Sequence, residues 1–471
     1  MSAHLAPFRM APADVAWFRM ESPTNPMTIT GVVQFEGRLE RAALCRFVTE
    51  RLLPFNRFRM RVERRGAGVW WVPDARFDVD RHVFETALPA PGGKAALEAF
   101  VSRQMSTQLS FDKPPWEMYL MHGVDGGSAL VVRLHHVIGD GIALMHVVLS
   151  SMDEFVGAPG GGSPADAAPA LPARRPASPL PRRLGRTLAA AARNTAALAR
   201  QPSRVAEAFR GGGRVGLALG HLLAMPADSP TCFKGGVTRI KRAAWTRALA
   251  LADVRAVARA TGAKINDVLL AAATGALRRY LDARGDDTRG VEIRAAVPFN
   301  VRPLERAHEL GNAFGLVFLP LPLGERSAPA RLRRLKASMD AIKASAEPAV
   351  VFGILQSIGI APRWVHRIVL GLFSAKASAV MTNVPGPDRR LHMMGAPIRT
   401  IMFWVPQAGD IGLGVSILSY DGAVRVGIAA DAAYVPDPRA LVAAFENEFA
   451  DLFAHYVRSD AAPDAAPDAA P

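Results

Sequence analysis

The sequence predicts an α/β protein made of two folded units that are joined by a long linker. Half of the 471 residues are hydrophobic and 21% are charged, a balance typical of globular chains long enough for large cores. Apolar stretches with strand-like alternation take turns with stretches of helical spacing, before and after a segment rich in Gly, Pro and Ala. We therefore assign a first unit to residues 1–156, a linker to 157–228, a second unit to 229–458 and a disordered tail of D-A-A-P repeats to 459–471.

The first unit has the pattern of a mixed sheet with helices. Its predicted helices are Leu39–Leu53, Lys94–Leu109 and Ile142–Phe155. Its predicted strands are Met27–Phe35, Phe55–Val62, strand material over Trp70–Phe84, Met118–His122 and Ala129–Leu134. In the second of these strands, a period of two puts Arg57, Arg59 and Arg61 on one face, as on a solvated sheet edge.

The second unit repeats this alternation of helices and strands. Its predicted helices are Leu249–Thr261, Asn266–Asp282, Ser327–Ser345, apolar segments within Pro348–Phe373, and Pro436–Tyr456. Its predicted strands are Gly290–Pro298, Phe314–Leu323, Ala377–Asn383, Ile398–Val405, Ile411–Tyr420 and Ala423–Ala430. Asn266 has the character of an N-cap residue for the second helix.

The positive charge of the chain is concentrated in the linker. The net charge is +15, and the stretch from Arg174 to Arg214 holds ten arginines against one acid, Glu207. A nucleic-acid partner is therefore not expected, because the excess does not belong to a folded groove. Within Arg182–Arg210, apolar residues recur at helical spacing, which predicts a cationic amphipathic helix. Such a helix binds a membrane surface or packs on its own protein, and both alternatives remain open.

The cellular compartment is indicated by what the sequence lacks. Cys45 and Cys232 are the only cysteines, which excludes a disulfide framework and fits a reducing cytoplasm. The first ten residues do not resemble a secretory signal, and no apolar run approaches the roughly 18 residues needed to span a bilayer.

A pair of histidines marks the candidate site. Residues 134–141 read L-H-H-V-I-G-D-G, so that His135 and His136 lie where a buried strand ends and a loop begins. Histidine can act as a base near neutral pH, because its ordinary pKa is about 6.5. A satisfied polar loop and a metal site with Asp140, His122 and His146 are the alternatives. We expect no metal, because adjacent side chains point apart.

Further motifs carry a family resemblance. H-H-x-x-x-D-G is similar to the signature of the CoA-dependent acyltransferase superfamily. Five further blocks resemble, in their order along the chain, those of the bacterial wax ester synthase/diacylglycerol acyltransferase family. They are W-F-R-M-E-S-P-T-N-P-M (17–27), P-P-W-E (114–117), K-I-N-D-V (264–268), V-P-F-N-V-R (297–302) with G-N (311–312), and T-N-V-P-G-P (382–387). Pro115 and Thr382 depart from that family's Leu and Ser, which puts substrate preference in doubt.

The resemblance implies a fold and an activity. The fold would consist of two chloramphenicol-acetyltransferase-like domains, each a mixed sheet with helices, and an active-site tunnel between them. The expected reaction moves a long-chain acyl group from acyl-CoA to diacylglycerol or a long-chain alcohol and uses no cofactor. The enzyme would be peripheral, on the inner face of the membrane or on lipid inclusions. The alternatives are a condensation-type acyltransferase that depends on a carrier protein, and a non-catalytic lipid-binding protein.

The resemblance also implies roles for individual residues. His136 is expected to be the general base, with His135 as support and the N–H of Gly141 as a candidate oxyanion donor. Asp140 is expected to be structural and to pair with Arg59, with Arg61 as the second choice. The expected substrate-binding residues are Asn266, Asn383, Glu21 and Trp116, of which the two asparagines are also candidate oxyanion donors. The further structural residues are Asp267, Pro385 and Gly386.

Overall fold

The computed structural model describes residues 5–66, 68–155, 221–222, 224–301, 310–345 and 347–458. Most of the predicted linker, including the predicted cationic helix, lies outside these residues, as does the predicted tail. The described chain forms two mixed β-sheets and one small sheet, with helices packed on them. This is the α/β fold class that the alternating sequence pattern predicts.

The first large sheet has six strands. Its order from edge to edge is β13, β14, β2, β7, β6, β5, and the small sheet has the order β1, β4, β3. The bounds of these strands are β1 Phe8–Arg9, β2 Thr28–Phe35, β3 Met60–Arg65, β4 Gly68–Pro73, β5 Val83–Ala87, β6 Trp116–Val124, β7 Gly127–His135, β13 His392–Met393 and β14 Ala396–Trp404. The central strand β7 is almost entirely buried, and it delivers the two histidines at its end.

The second large sheet has seven strands. Six follow the order β11, β10, β12, β15, β16, β8, and β9 pairs with one end of β16. Their bounds are β8 Lys241–Trp245, β9 Leu249–Ala250, β10 Ile293–Asn300, β11 Phe314–Leu321, β12 Ala379–Pro385, β15 Leu413–Tyr420 and β16 Ala423–Asp431. Parallel pairing of β12 with both β10 and β15 makes the sheet mixed, because its other pairings are antiparallel.

The described part of the chain contains ten α-helices. Their bounds are α1 Pro12–Met20, α2 Arg41–Phe47, α3 Gly93–Met105, α4 Gly141–Ser150, α5 Leu251–Thr261, α6 Ile265–Arg284, α7 Ala328–Ala344, α8 Glu347–Ile360, α9 Arg363–Ser374 and α10 Pro438–Phe453. None of the helices in these described ranges has the length and apolarity to span a membrane.

The two sheets exchange chain segments. Strand β14 comes from the second half of the sequence, yet it pairs antiparallel with β2 of the first sheet, with Trp404 opposite Thr30. The next strand, β15, belongs to the second sheet. The chain therefore crosses from one sheet to the other between Trp404 and Leu413. A division into consecutive units does not describe this crossover.

The periodicity of the sequence does not predict helix α1, which is held by a close contact with α8. A Cβ atom on Gly359 of α8 would lie 1.8 Å from the carbonyl oxygen of Pro12, so only glycine fits there. Arg19 donates from Nη1 to the carbonyl oxygens of Ile358 and Ala361, at 3.2 and 2.6 Å. These contacts hold α1 across the end of α8, and α1 carries side chains that reach the histidines.

The segment from Phe55 to Val62 differs from its predicted form. The sequence pattern predicts a continuous strand, but residues Asn56–Arg59 form a 3₁₀ turn and β3 begins only at Met60. Side chains in a 3₁₀ turn repeat every three residues rather than every two. Arg57 and Arg59 consequently have different neighbours, so the prediction of a shared face is wrong.

Trp116 belongs to the core of the first sheet. Its side chain is fully buried, its Nε1–H donates to the carbonyl oxygen of Phe58 at 2.9 Å, and its ring stacks on His82 at 4.2 Å. These contacts give Trp116 a packing role in the core of the first sheet. Its predicted substrate contact stays a prediction.

Replacing Trp116 by Ala should lower the free energy of unfolding by ~3–5 kcal/mol, because it opens a cavity and leaves the Phe58 carbonyl without its donor. Urea titration of the full-length protein measures this loss. The matched control is Trp364→Ala, since Trp364 is 61% exposed, and its effect should stay within about 0.5 kcal/mol. Unchanged stability of Trp116→Ala together with a raised KM for substrate would contradict the packing role.

Candidate active site

The histidine motif forms the loop between β7 and α4. His135 is the last residue of β7, and both histidines are buried, with exposures of 0% and 4%. Their rings point to different partners, since His135 contacts Glu21 and His136 contacts Asn312. Among the described residues, no group of three His, Cys, Asp or Glu side chains is arranged to hold a metal ion.

The tautomer of His136 is set by Asn312. The Nδ2 group of Asn312 donates to the His136 carbonyl oxygen and to Asp14 Oδ1, both at 2.8 Å. Because a carbonyl can only accept, this fixes the orientation of the amide and turns Asn312 Oδ1 toward His136 Nδ1, at 2.8 Å. His136 Nδ1 must then carry the proton. Its Nε2 atom holds a lone pair and has no hydrogen-bond partner among the described residues.

The His136 ring is held in a dry aromatic slot. Trp17 of α1 stacks on it with ring centroids 3.9 Å apart and an angle of 7° between the planes, and Phe314 packs nearby at 5.7 Å. Burial lowers the pKa of His136 to about 3, although the hydrogen bond with Asn312 opposes that shift. The imidazole is therefore neutral at physiological pH, which is the form that can accept a proton.

His135 has both ring nitrogens engaged. The backbone N–H of Val137 donates to its Nδ1 at 3.1 Å, so the proton is on Nε2, which faces Glu21 Oε2 at 3.3 Å. Glu21 is held in turn by the backbone N–H of Met27 and by the Nε2 of Gln108. His135 has no free lone pair for catalysis, and this arrangement fits the predicted supporting role. Glu21 is brought to the site, where it contacts this histidine.

Asp140 holds the motif loop from its far end. Its Oδ1 accepts the N–H of Ala143 at 2.9 Å, as a capping residue at the start of α4, and its Oδ2 accepts the N–H of Ala313 at 2.8 Å. Its own N–H donates to the carbonyl oxygen of Gly311 at 3.2 Å. These contacts tie the loop to the segment that leads into β11, and they fit the predicted structural role.

The arginine of this site is Arg57. Its Nη1 donates to the carbonyl oxygens of Val137 and Ile138, at 2.7 and 3.1 Å, and pairs with Asp14 Oδ2 at 2.9 Å. Arg59 instead donates to Asn56 Oδ1 at 3.3 Å. No ion pair joins Arg59 to Asp140, both of which the structure describes, so this predicted pairing is wrong.

Arg61 pairs with Glu63. The second choice for the arginine of the site is therefore also incorrect, because Arg61 lies beyond the 3₁₀ turn on strand β3.

Three residues of the site were not assigned a role from the sequence. Asp14 and Trp17 lie on α1, and Asn312 follows Gly311, which has a φ of +127° and would bring a Cβ within 3.1 Å of Arg57 Nη2. Burial raises the pKa of Asp14, and the nearby Arg57 opposes the shift. The G-N pair is the one sequence signal that could have indicated this position, since only glycine tolerates that backbone and that contact.

The second predicted group of residues also meets in space. Asn383 Nδ2 donates to Asn266 Oδ1 at 2.7 Å, which joins the end of β12 to the first turn of α6. The N-cap of α6 is Lys264 rather than Asn266, and Asp267 Oδ2 accepts the N–H of Lys264 at 3.1 Å. No described hydrogen bond joins this amide pair to either histidine. Its predicted substrate contact stays a prediction.

The remaining predicted site residues lie in the turn after β12 and at the start of α4. Pro385 ends β12, and the N–H of Gly386 donates to the Ser419 carbonyl oxygen at 2.9 Å, where an added Cβ would lie 2.4 Å from that oxygen. Gly141 begins α4, and the space beside its Cα is open. An N–H at a helix start is directed outward and carries partial positive charge.

Comparison with known structures identifies the fold. The wax ester synthase/diacylglycerol acyltransferase from Marinobacter aquaeolei VT8 has a TM-score of 0.67 at 21% identity, over 95% of this chain and 99% of that one. The first condensation domain of the calcium-dependent antibiotic synthetase has a TM-score of 0.60 at 16% identity, over 96% of each chain. These likenesses define the fold class, that of condensation domains and related acyltransferases.

The sequence comparisons narrow this class to one family. The wax ester synthase/diacylglycerol acyltransferase catalytic domain matches residues 10–269, and the C-terminal domain of that family matches residues 310–453. A "probable diacylglycerol O-acyltransferase" of Mycobacterium tuberculosis is 29% identical over 423 residues, which cover 88% of both chains. The chain belongs to the wax ester synthase/diacylglycerol acyltransferase family, and it is an acyltransferase.

Replacing Asn312 by Ala should lower kcat by roughly 10²-fold, at nearly constant KM, because His136 loses the group that fixes its tautomer. Steady-state kinetics per folded molecule measures this split. Asn56→Ala is the matched control, since Asn56 is exposed and its side chain bonds only Arg59 among the described residues, and it should retain wild-type rates. Wild-type kcat in folded Asn312→Ala protein would contradict the positioning role.

The plot of kcat/KM against pH should show no decline near pH 6.5, where an ordinary histidine becomes protonated. Because the pKa of His136 is lowered from 6.5 to about 3, the base stays unprotonated as the medium is acidified. We expect kcat/KM to remain flat from about pH 8 down to about pH 5. Initial rates measured across this range, with intrinsic fluorescence as a check on folding, test this. A decline centred near pH 6.5 would show that His136 titrates normally.

Proposed function

We propose that the protein transfers a long-chain acyl group from acyl-CoA to diacylglycerol or a long-chain alcohol, with His136 as general base. The observation that carries this proposal is the buried, neutral His136 ring, whose Nδ1–H donates to Asn312 and whose Nε2 lone pair is left available. The products are triacylglycerol or a wax ester, and free CoA. The proposed reaction uses no cofactor, since acyl-CoA is a substrate.

The reaction proceeds through one tetrahedral intermediate. The acceptor hydroxyl gives its proton to His136 Nε2 while its oxygen forms a bond to the thioester carbonyl carbon. Collapse of the intermediate breaks the carbon–sulfur bond, and His136 returns the proton to the CoA thiolate. General-base assistance of this kind is worth about 10²–10⁴-fold in rate. No covalent acyl-enzyme forms, so the site needs no nucleophilic serine or cysteine.

The charge on the intermediate needs a donor. We assign this role to the N–H of Gly141, because Gly141 opens α4 in the same loop as His136. The dipole of α4 adds partial positive charge at that end. The Asn266–Asn383 amide pair is proposed as a contact for the bound substrate.

The enzyme is proposed to work at a lipid surface in the cytoplasm, on the inner face of the membrane or on lipid inclusions. The acceptor and the product are both lipids that partition out of water. The ten arginines between Arg174 and Arg214 add positive charge that an anionic surface would attract.

The test is release of CoA thiol from palmitoyl-CoA, with dioleoylglycerol and hexadecanol offered in parallel and the ester products identified by chromatography. The wild-type enzyme should release thiol only with an acceptor, whereas His136→Ala should be at least about 10²-fold slower because it lacks the base. His122→Ala is the matched control, since His122 bonds Glu85 and Ser128 in the first sheet, and it should keep wild-type rates.

Two outcomes would reject the proposal. Wild-type rates in folded His136→Ala protein would show that His136 is not the general base. No thiol release from wild-type enzyme with either acceptor would leave the alternative of an acyltransferase that depends on a carrier protein.

A further inference from the structure

Helix α9 presents an apolar stripe to solvent. Trp364, Ile368 and Leu372 are 61%, 55% and 48% exposed, and their spacing of four residues places them on one face of the helix. Ile360, at the end of α8, is 73% exposed. Four of the six large hydrophobic side chains that are exposed in the described chain therefore lie on this short stretch. Clusters of this kind mark interaction surfaces more often than scattered apolar residues do.

The opposite face of α9 fixes the helix to the protein. His366 and Ser374 are buried, and the ring of Phe373 packs against Phe318 of β11 at 5.7 Å. These inward contacts do not involve the three residues of the outward stripe. Its large side chains are available for a partner outside the chain.

Arginines flank the stripe. Arg363 and Arg367 each precede a residue of the stripe by one position, and both are exposed. Together with Arg19 and Arg64 they line a cavity of about 420 Å³. In the described part of the chain, no carboxylate forms an ion pair with any of these four arginines. A cavity with this lining attracts phosphate-bearing groups, because guanidinium groups match phosphate oxygens in geometry and charge.

The same cavity borders the catalytic loop. Its remaining lining residues are Phe18, Glu21 and His366, and Glu21 hydrogen-bonds His135 of the motif. A single side chain, Glu21, therefore connects this arginine-lined cavity to His135. A lipid that left an adjacent surface at this point would enter beside the site.

We propose that α9 is an interfacial helix that docks the enzyme on an anionic phospholipid surface. Trp364, Ile368 and Leu372 enter the boundary between headgroups and acyl chains, while the four arginines contact lipid phosphates. A helix with an apolar face and flanking cations is suited to lie in that plane. The acceptor lipid then passes through the cavity toward His135 and His136. This route rests on the proposed lipid acceptor, whereas the docking itself does not.

The test uses the full-length protein and sucrose-loaded vesicles, either of phosphatidylcholine alone or of equal parts phosphatidylcholine and phosphatidylglycerol. Wild-type protein should pellet with the anionic vesicles, and salt should weaken the binding. The variant Trp364→Ser/Ile368→Ser/Leu372→Ser should bind them about 10- to 100-fold more weakly, since it loses the inserted side chains. The variant Arg363→Glu/Arg367→Glu should lose most of the salt-sensitive part of the vesicle binding.

A matched control comes from another element. Arg239 and Ile240 are adjacent and exposed before β8, so Arg239→Glu/Ile240→Ser makes the same chemical changes off the proposed surface. This control should pellet like the wild type. The triple-serine variant should also have a raised KM for diacylglycerol in vesicles, with unchanged thiol release on a water-soluble short-chain alcohol. If the wild-type protein releases no thiol with any acceptor, the proposed function is rejected. The pelleting assay would still test whether α9 docks on a lipid surface.

Wild-type pelleting by the triple-serine variant would overturn the docking proposal. Two further measurements would then show what replaces it. Loss of pelleting on deletion of residues 174–214 would assign the binding to the linker. A shift of the triple-serine variant from dimer to monomer in sedimentation velocity would make the face a contact between two copies.

Discussion

The orientation of one side-chain amide underlies the chemistry of this protein. Asn312 donates two N–H groups, one to Asp14 and one to the His136 backbone, and its oxygen is thereby directed at the His136 ring. Asp14, His136 and Asn312 come from three different parts of the fold, and all are buried. In a buried environment an unmet hydrogen bond is costly, so the three residues hold one another in a single arrangement. The lone pair on Nε2 is a consequence of that constraint.

The two adjacent histidines are separated by their environments rather than by their intrinsic chemistry. Both ring nitrogens of His135 form hydrogen bonds, one as an acceptor from Val137 and one as a donor to Glu21. Only one ring nitrogen of His136 forms a hydrogen bond, and burial under Trp17 keeps the ring neutral. Neither ring contacts Asp140 by a described hydrogen bond, since that carboxylate caps α4 and holds Ala313. The motif thus combines one base, one supporting residue and one structural anchor.

The sequence predicts what is local and misses what depends on closure of the fold. Most strands and helices carry a period of two or 3.6 and were predicted to within a few residues, whereas α1 has only nine residues and β8 only five. The resemblance implies an arginine of this segment but does not single out Arg57, whose neighbours differ from those of Arg59 because the two residues lie in a 3₁₀ turn. Asn312 lies 176 residues from His136, and no spacing rule relates two positions that meet only when both sheets are assembled.

The crossover of β14 into the first sheet has a consequence for engineering and for evolution by recombination. The gap between the family's two matched segments, residues 270–309, is the natural place to join halves of different relatives. A chimaera cut there would pair β2 of one parent with β14 of the other, and it would also bring a foreign Asn312 against His136. Halves of this enzyme are therefore not interchangeable modules, and functional hybrids require parents whose strand edges and loop geometry already agree.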